Sequence, residues 1–280
     1  MESIPTIEGS MGIPRAALPF LVASLLCSAI AGEAPEIAVP SCLDRPVRLG
    51  LHEHGIFFEN GRGIDKDLVD ELAKRSGCRI EMQVLVRARF WTDMEHGALD
   101  MGVFGIRTPE REKFASFVPY LTLKNLAVVR SDIAAKVRTA KEFMDDPKLI
   151  LGVVRAYKHG DPQDGWIASL REQGRVEESP DPEALFQKVR ARRLDAIFAQ
   201  PPVCAEYLRD LKMERDVVVE DWTPSAKGTE YGLILSRQRF NESDAAAWKR
   251  IIDRMKADGS LLAILRKYLP ESDAQRMLDF

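Results

Sequence analysis

Leu99-Asp100-Met101-Gly102-Val103-Phe104-Gly105-Ile106-Arg107-Thr108-Pro109-Glu110-Arg111, with Phe117-Val118-Pro119-Tyr120 close behind, is the stretch whose reading decides the fold. The apolar run 99–103 reads as a strand. Thr108 suits a helix N-cap, Pro109 the first helical position, and Glu110 the positive end of the helix dipole. Arg111 then falls on the first helical turn, beside the carboxyl end of the strand. Open α/β sheets bind their ligands at that end. A guanidinium fixed there can hold a carboxylate with two parallel hydrogen bonds. The plainer alternative is a surface arginine beside a well-capped helix.

Outward from this stretch, strands alternate with helices. Strands are expected at 47–52, 79–86 and 99–103, with helices at 65–76 and 89–96 between them. Asp65 is placed at the N-cap of the first helix and Gly77 at its C-cap. A strand at 125–129 leads to a second alternating block, with strands at 149–154, 175–178, 194–199 and 217–220. Its helices are expected at 162–173, 181–191 and 203–212. A strand at 231–236 and helices at 242–257 and 259–268 close the pattern. The βαβαβ order implies parallel, doubly wound sheets with right-handed crossovers. The fold class is therefore α/β, with two lobes. Lobe 1 takes 42–128 and 225–280, and lobe 2 takes 129–224. No Gly/Ser-rich or Pro-rich linker separates them, so the connections read as ordered hinges.

The 280 residues carry 40 Lys and Arg against 43 Asp and Glu, a formal net charge of −3. That balance argues against a nucleic-acid binder. Residues 16–31 are free of charge, follow Arg15, and end in the small-x-small pattern Ala29-Ile30-Ala31. They read as a signal peptide cleaved near Ala31, which directs the chain to the periplasm. An exported chain meets an oxidising compartment. Cys42 and Cys78 each precede an expected strand, and parallel neighbouring strands would bring them to one sheet edge. A Cys42–Cys78 disulfide is the favoured pairing, and three free thiols the alternative; Cys204 reads as a small buried group. No Cys/His spacing suits a metal and no cofactor motif is present.

Taken together, these residues resemble the bacterial extracellular solute-binding proteins of family 3, the receptors of polar amino-acid ABC importers. The likeness is carried by Gly63-Ile64-Asp65-Lys66-Asp67-Leu68, Thr108-Pro109-Glu110-Arg111, Pro119-Tyr120, Leu194-Asp195-Ala196-Ile197 and Asp258-Gly259-Ser260. It implies a two-lobed periplasmic-binding-protein-like fold (type II) that closes on a ligand about a hinge. By the same resemblance Arg111 pairs with the ligand carboxylate, over a floor of Gly105, Ile106 and Arg107. Phe57 takes the place of a ring stacked on the ligand. Two positions depart from the family. Ile106 stands where a Thr or Ser hydroxyl usually helps hold the carboxylate, and Gln200 where an acidic residue usually pairs with the ligand ammonium. An ammonium buried without that partner is costly, so an anionic solute is expected instead. Arg87 and Arg107 from the first lobe, and Arg155, Tyr157 and Lys158 from the second, are expected to line the cleft with Arg111 and Gln200.

A monomeric binding protein read by ABC-transporter membrane subunits is the leading expectation. A periplasmic dehydratase on the same fold is the enzymatic alternative. Its acid or base would come from Glu53, Glu59 or His159. A soluble sensory module is the third.

Overall fold

The computed structural model describes residues 40–42 and 44–279. The signal peptide expected over 1–31 lies outside the described residues. The chain runs through β1 (Val47–Leu51), α1 (Ile64–Ser76), β2 (Ile80–Val84), α2 (Arg87–Glu95), β3 (Met101–Gly105), α3 (Pro109–Glu112) and β4 (Ala115–Leu123). It then enters a second set: β5 (Leu126–Arg130), α4 (Ser131–Ala134), α5 (Ala140–Asp145), β6 (Leu151–Val154), α6 (Gln163–Glu172), β7 (Val176–Ser179), α7 (Pro182–Arg190), β8 (Ala196–Ala199), α8 (Pro201–Asp210) and β9 (Val217–Glu220). It returns through β10 (Thr229–Ser236) to α9 (Glu242–Ala257), α10 (Ser260–Arg266) and α11 (Glu271–Arg276). Among the described residues, no helix is long and apolar enough to cross a membrane.

Two five-stranded sheets result, in the orders β2-β1-β3-β10-β4 and β7-β6-β8-β5-β9. In each, the βαβαβ unit supplies three parallel strands, and the crossing strands add antiparallel neighbours. Strand β5 pairs with β8 and β9, so 126–128 belong to the second lobe rather than the first. The crossings therefore fall between β4 and β5 and between β9 and β10. Strand β4, not expected from sequence, holds Pro119 on the sheet edge. The edge tolerates a residue with no N–H to donate.

Local chemistry explains the elements that carry the site. In α1, Ile64, Leu68, Val69 and Leu72 form one buried face, and Gly77 ends the helix at φ 72°. The N-cap is Gly63. Asp65 lies two residues further on, within the first turn, and is buried, with its carboxylate accepting from the Tyr120 hydroxyl at 2.8 Å. The expected Asp65 cap fails because Tyr120 and its neighbours cover that side chain. Thr108 caps α3 as expected, accepting from the Arg111 N–H at 3.4 Å. Helix α2 sits close on the first sheet because Phe90 lies over Gly50 and Gly102. A Cβ at either would stand 2.6 or 2.3 Å from the Phe90 ring. That close approach brings Arg87 and Trp91, on the same helix, to the carboxyl end of the parallel strands.

The Cys42–Cys78 disulfide is present, with the Cα atoms 5.1 Å apart beside the parallel β1–β2 pair. Cys204 is a buried free thiol, pushed up to about 12 by burial.

Candidate functional site

The carboxyl ends of both sheets face one another across a narrow cavity. From the first lobe it is lined by His52, Arg87, Phe104, Ile106, Arg111 and Tyr231. Tyr157, Lys158 and Gln200 close it from the second. The space is about 10 Å³, room for about one water-sized group, so a solute enters only if the lobes part. A larger groove of about 850 Å³ lies along the crossings, between Leu123, Leu126, Pro201 and Met277. Its walls mix Lys124, Arg209 and Arg276 with Glu206, Asp273 and Asp279, so the interlobe cavity, whose lining side chains carry cations and no carboxylate, is the better site for an anion.

Arg111 is the centre of the cavity. The residue is only 8% exposed. It donates to the Ile106 carbonyl at 2.9 Å and, across the lobes, to the Ala156 carbonyl at 2.9 Å. The guanidinium carbon lies 3.7 Å from the centre of the Trp91 ring. Ala156 holds a left-handed backbone at φ 64°, a conformation costing a non-glycine residue about 1–2 kcal/mol. The turn it makes aims its carbonyl at Arg111.

Arg87 stands on the other side of the site. Rather than leading a loop, it opens α2 and is buried. It donates to the Phe104 carbonyl at 2.9 Å and to His52 Nδ1 at 3.2 Å. Its guanidinium carbon is 4.9 Å from the Trp91 ring centre. Burial pushes Arg87 down to about 10, and burial together with the Arg87 charge pushes Arg111 down to about 9. Among the described residues, neither has a carboxylate within ion-pair distance. Trp91 packs as expected for a core residue, and its face also serves as the platform for both cations.

A polar network joins the lobes behind these cations. Gln200 is 4% exposed. Its Nε2 donates to Asn125 Oδ1 at 2.7 Å and to the Tyr231 hydroxyl at 3.0 Å. Its Oε1 faces His54 Nε2 at 3.1 Å, which must be the donor there. His54 Nδ1 then accepts from the Tyr157 hydroxyl at 3.0 Å. Burial pushes His54 down to about 3, so it stays neutral.

Of the residues expected to bind, Arg111, Ile106, Arg87, Tyr157, Lys158 and Gln200 come together. Arg107 does not. It is 58% exposed and faces Glu112 at 3.5 Å, because its side chain leaves the turn on the solvent side. Arg155 is 61% exposed and pairs with Glu178 at 3.1 Å, as the residue before the turn that Ala156 makes. Phe57 is fully buried, stacked behind the cavity against His54 and Phe104. Gly105 ends β3 against the Ile234 side chain and is not among the residues that line this cavity. Glu53, Glu59 and His159 also stand outside the cavity lining. His52, His54, Phe104, Asn125 and Tyr231 escaped sequence reasoning. Two of the chain's 4 histidines, His52 and His54, gather here, flanking one residue after β1, and that spacing was the one available signal.

The two α/β lobes, crossed twice by the chain and closing on a cation-lined cavity, define a two-lobed solute-binding protein. The chain belongs to the bacterial extracellular solute-binding proteins, family 3, whose model matches residues 56–271. A comparison with curated proteins found no match. Among solved structures, an ancestral arginine-binding protein bound to arginine shares the fold at TM-score 0.67 and 20% identity, over 80% of this chain and 98% of that one. An ancestral amino acid-binding protein, a precursor of cyclohexadienyl dehydratase, matches at 0.63 and 23%, over 80% and 96%. The arginine-, lysine-, histidine-binding protein of Geobacillus stearothermophilus matches at 0.65 and 19%, over 80% and 95%.

Proposed function

We propose that the protein captures a small carboxylate-bearing anion between its lobes and presents the closed form to an ABC importer in the periplasm, after cleavage of a leader near Ala31. The observation that carries this reading is Arg111: a buried guanidinium at the cavity whose hydrogen-bond partners are carbonyls rather than carboxylates. Charge buried without compensation is expensive, and an anionic ligand removes that cost. The Ala156 carbonyl oxygen lies where a ligand oxygen would dock, so binding exchanges one acceptor for a charged one. Lobe 2 then brings Tyr157, Lys158 and Gln200 over the solute. A ligand stabilises closure only by its preference for the closed form, which charged contacts from both lobes supply.

Two of the similar structures are an arginine-binding and an arginine-, lysine-, histidine-binding protein. Ile106 and Gln200 favour a different solute here. Gln200 is uncharged and its amide is committed to Asn125, Tyr231 and His54. Calorimetry of the wild type and Arg111→Ala against carboxylates and amino acids tests the reading. Arg111→Ala abolishes binding and stays folded. Undiminished binding by that variant, or a best ligand without a carboxylate, overturns it.

A further inference from the structure

Building on Arg111 as the carboxylate anchor, we propose that the solute is a small organic dianion without an amino group, of the short-chain dicarboxylate class, and that Arg87 with His52 Nε2–H holds its second anionic end. The charge count comes first. Arg87 and Arg111 flank one indole, their guanidinium carbons 4.9 and 3.7 Å from the Trp91 ring centre, and exposed Lys158 lies at the same cavity. The nearby carboxylates are engaged elsewhere. Asp65 accepts from the Tyr120 hydroxyl, and Asp164 accepts from the His159 and Gly160 N–H groups at 3.0 and 3.2 Å. A monoanion compensates one guanidinium and leaves the other buried and unbalanced. A dianion compensates both.

The direction of each hydrogen bond gives the second argument. An arginine can only donate, so His52 Nδ1 accepts from Arg87 and the imidazole proton sits on Nε2. His52 is 3% exposed, lines the cavity, and its Nε2–H finds no acceptor among the described residues. Burial keeps the ring neutral, so this donor is permanent. Two of the side-chain acceptors at or beside the cavity are already in use. Gln200 Oε1 takes the His54 N–H, and the Tyr231 hydroxyl oxygen accepts from Gln200 and Asn125. The cavity thus offers an unpartnered donor and no charged acceptor among its lining side chains. An ammonium would meet only uncharged oxygens beside two buried guanidinium charges, whereas a carboxylate oxygen would gain the His52 donor.

The walls give the third argument. Phe104, Ile106 and Tyr231 present carbon to the cavity, which suits a short carbon spacer between two charged ends. A tetrahedral inorganic anion would leave those surfaces without a partner.

The test is calorimetry of the mature chain with malonate, succinate and glutarate against butyrate, L-glutamate and inorganic phosphate. The best dicarboxylate is expected to bind about ten- to a hundredfold tighter than butyrate, the worth of one charge-assisted pair. Arg87→Gln removes that advantage, so that the best dicarboxylate and butyrate bind the variant within about threefold of one another. Arg111→Ala weakens every carboxylate. Butyrate matching the dicarboxylates, or glutamate or phosphate binding best, overturns the dicarboxylate while Arg111 as anchor survives if its variant still loses binding. If no carboxylate binds at all, both readings fall. Should Arg87→Gln fail to fold, the wild-type ratio of dicarboxylate to butyrate decides alone.

Discussion

Replacing Gln200 by Glu tests the polar network that joins the lobes. In the native chain the carboxamide donates twice, to Asn125 Oδ1 at 2.7 Å and to the Tyr231 hydroxyl at 3.0 Å, and accepts once from His54. A carboxylate cannot donate. Gln200→Glu removes both donated bonds, worth about 1 kcal/mol each, and sets an anionic oxygen against the Asn125 carbonyl oxygen. Asn125 cannot rotate away freely, because its Nδ2 holds the His159 carbonyl at 2.8 Å. Burial of the new charge adds a desolvation cost, and the His54 N–H and the Arg87 charge offset part of it. The expected loss is about 3 kcal/mol at pH 7.5, a melting point lower by about 6–12 °C for a chain of this size. The sign with pH follows from burial. The folded variant raises the affinity of the introduced carboxyl for a proton above its unfolded value. Its cost is therefore present at neutral pH and shrinks as pH falls through the folded value. Calorimetric melting of wild type and Gln200→Glu at pH 5 and 7.5 reads both effects, each variant compared with wild type at the same pH. Equal melting points at pH 7.5 would refute the network's role. A deficit unchanged at pH 5 would show that lost shape, not buried charge, is the cause.

The buried histidines give a pH dependence of their own. His54 and His159 are pushed down to about 3 and about 4 by burial, and His52 also falls well below the ordinary 6.5. The unfolded chain thus takes up more protons below pH 6.5, and this stability is intact above 6.5 and lost as pH falls towards 4. Asp65, raised by burial to about 7, works the other way across much of that window. The net is about two protons near pH 5.5, or about 2.7 kcal/mol per pH unit, measured by denaturant titration at pH 5, 6 and 7. A flat profile excludes the arrangement. Removing the Cys42–Cys78 bridge, which spans 36 residues, is expected to cost about 4 kcal/mol, read as a lower denaturant midpoint in a Cys42→Ser, Cys78→Ser variant. A loss under about 1 kcal/mol would mean that the unfolded chain is not constrained by that loop.

The alternation of strands and helices, the two-lobed class, the Thr108 cap and the Gly77 stop were legible in the sequence, because each rests on neighbours within a few residues or on periodicity, and the Cys42–Cys78 pairing was legible because each cysteine precedes one of two strands read as parallel neighbours. Arg111 was legible for the same reason, since its capped turn follows a strand end. The crossing point was misplaced by a few residues, because an apolar strand such as β5 looks the same in either sheet, and only its pairing with β8 and β9 assigns it. Arg107, Arg155 and Phe57 shared the composition of a binding loop, yet the direction in which a turn leaves its sheet sent two to solvent and one to the core. The tertiary structure alone decided that Arg87 and Arg111 share Trp91, because residues far apart in sequence meet only when Phe90 seats α2 on Gly50 and Gly102. It also decided the proton on His52 Nε2, since an imidazole's tautomer is set by the partner that folding brings to its other nitrogen.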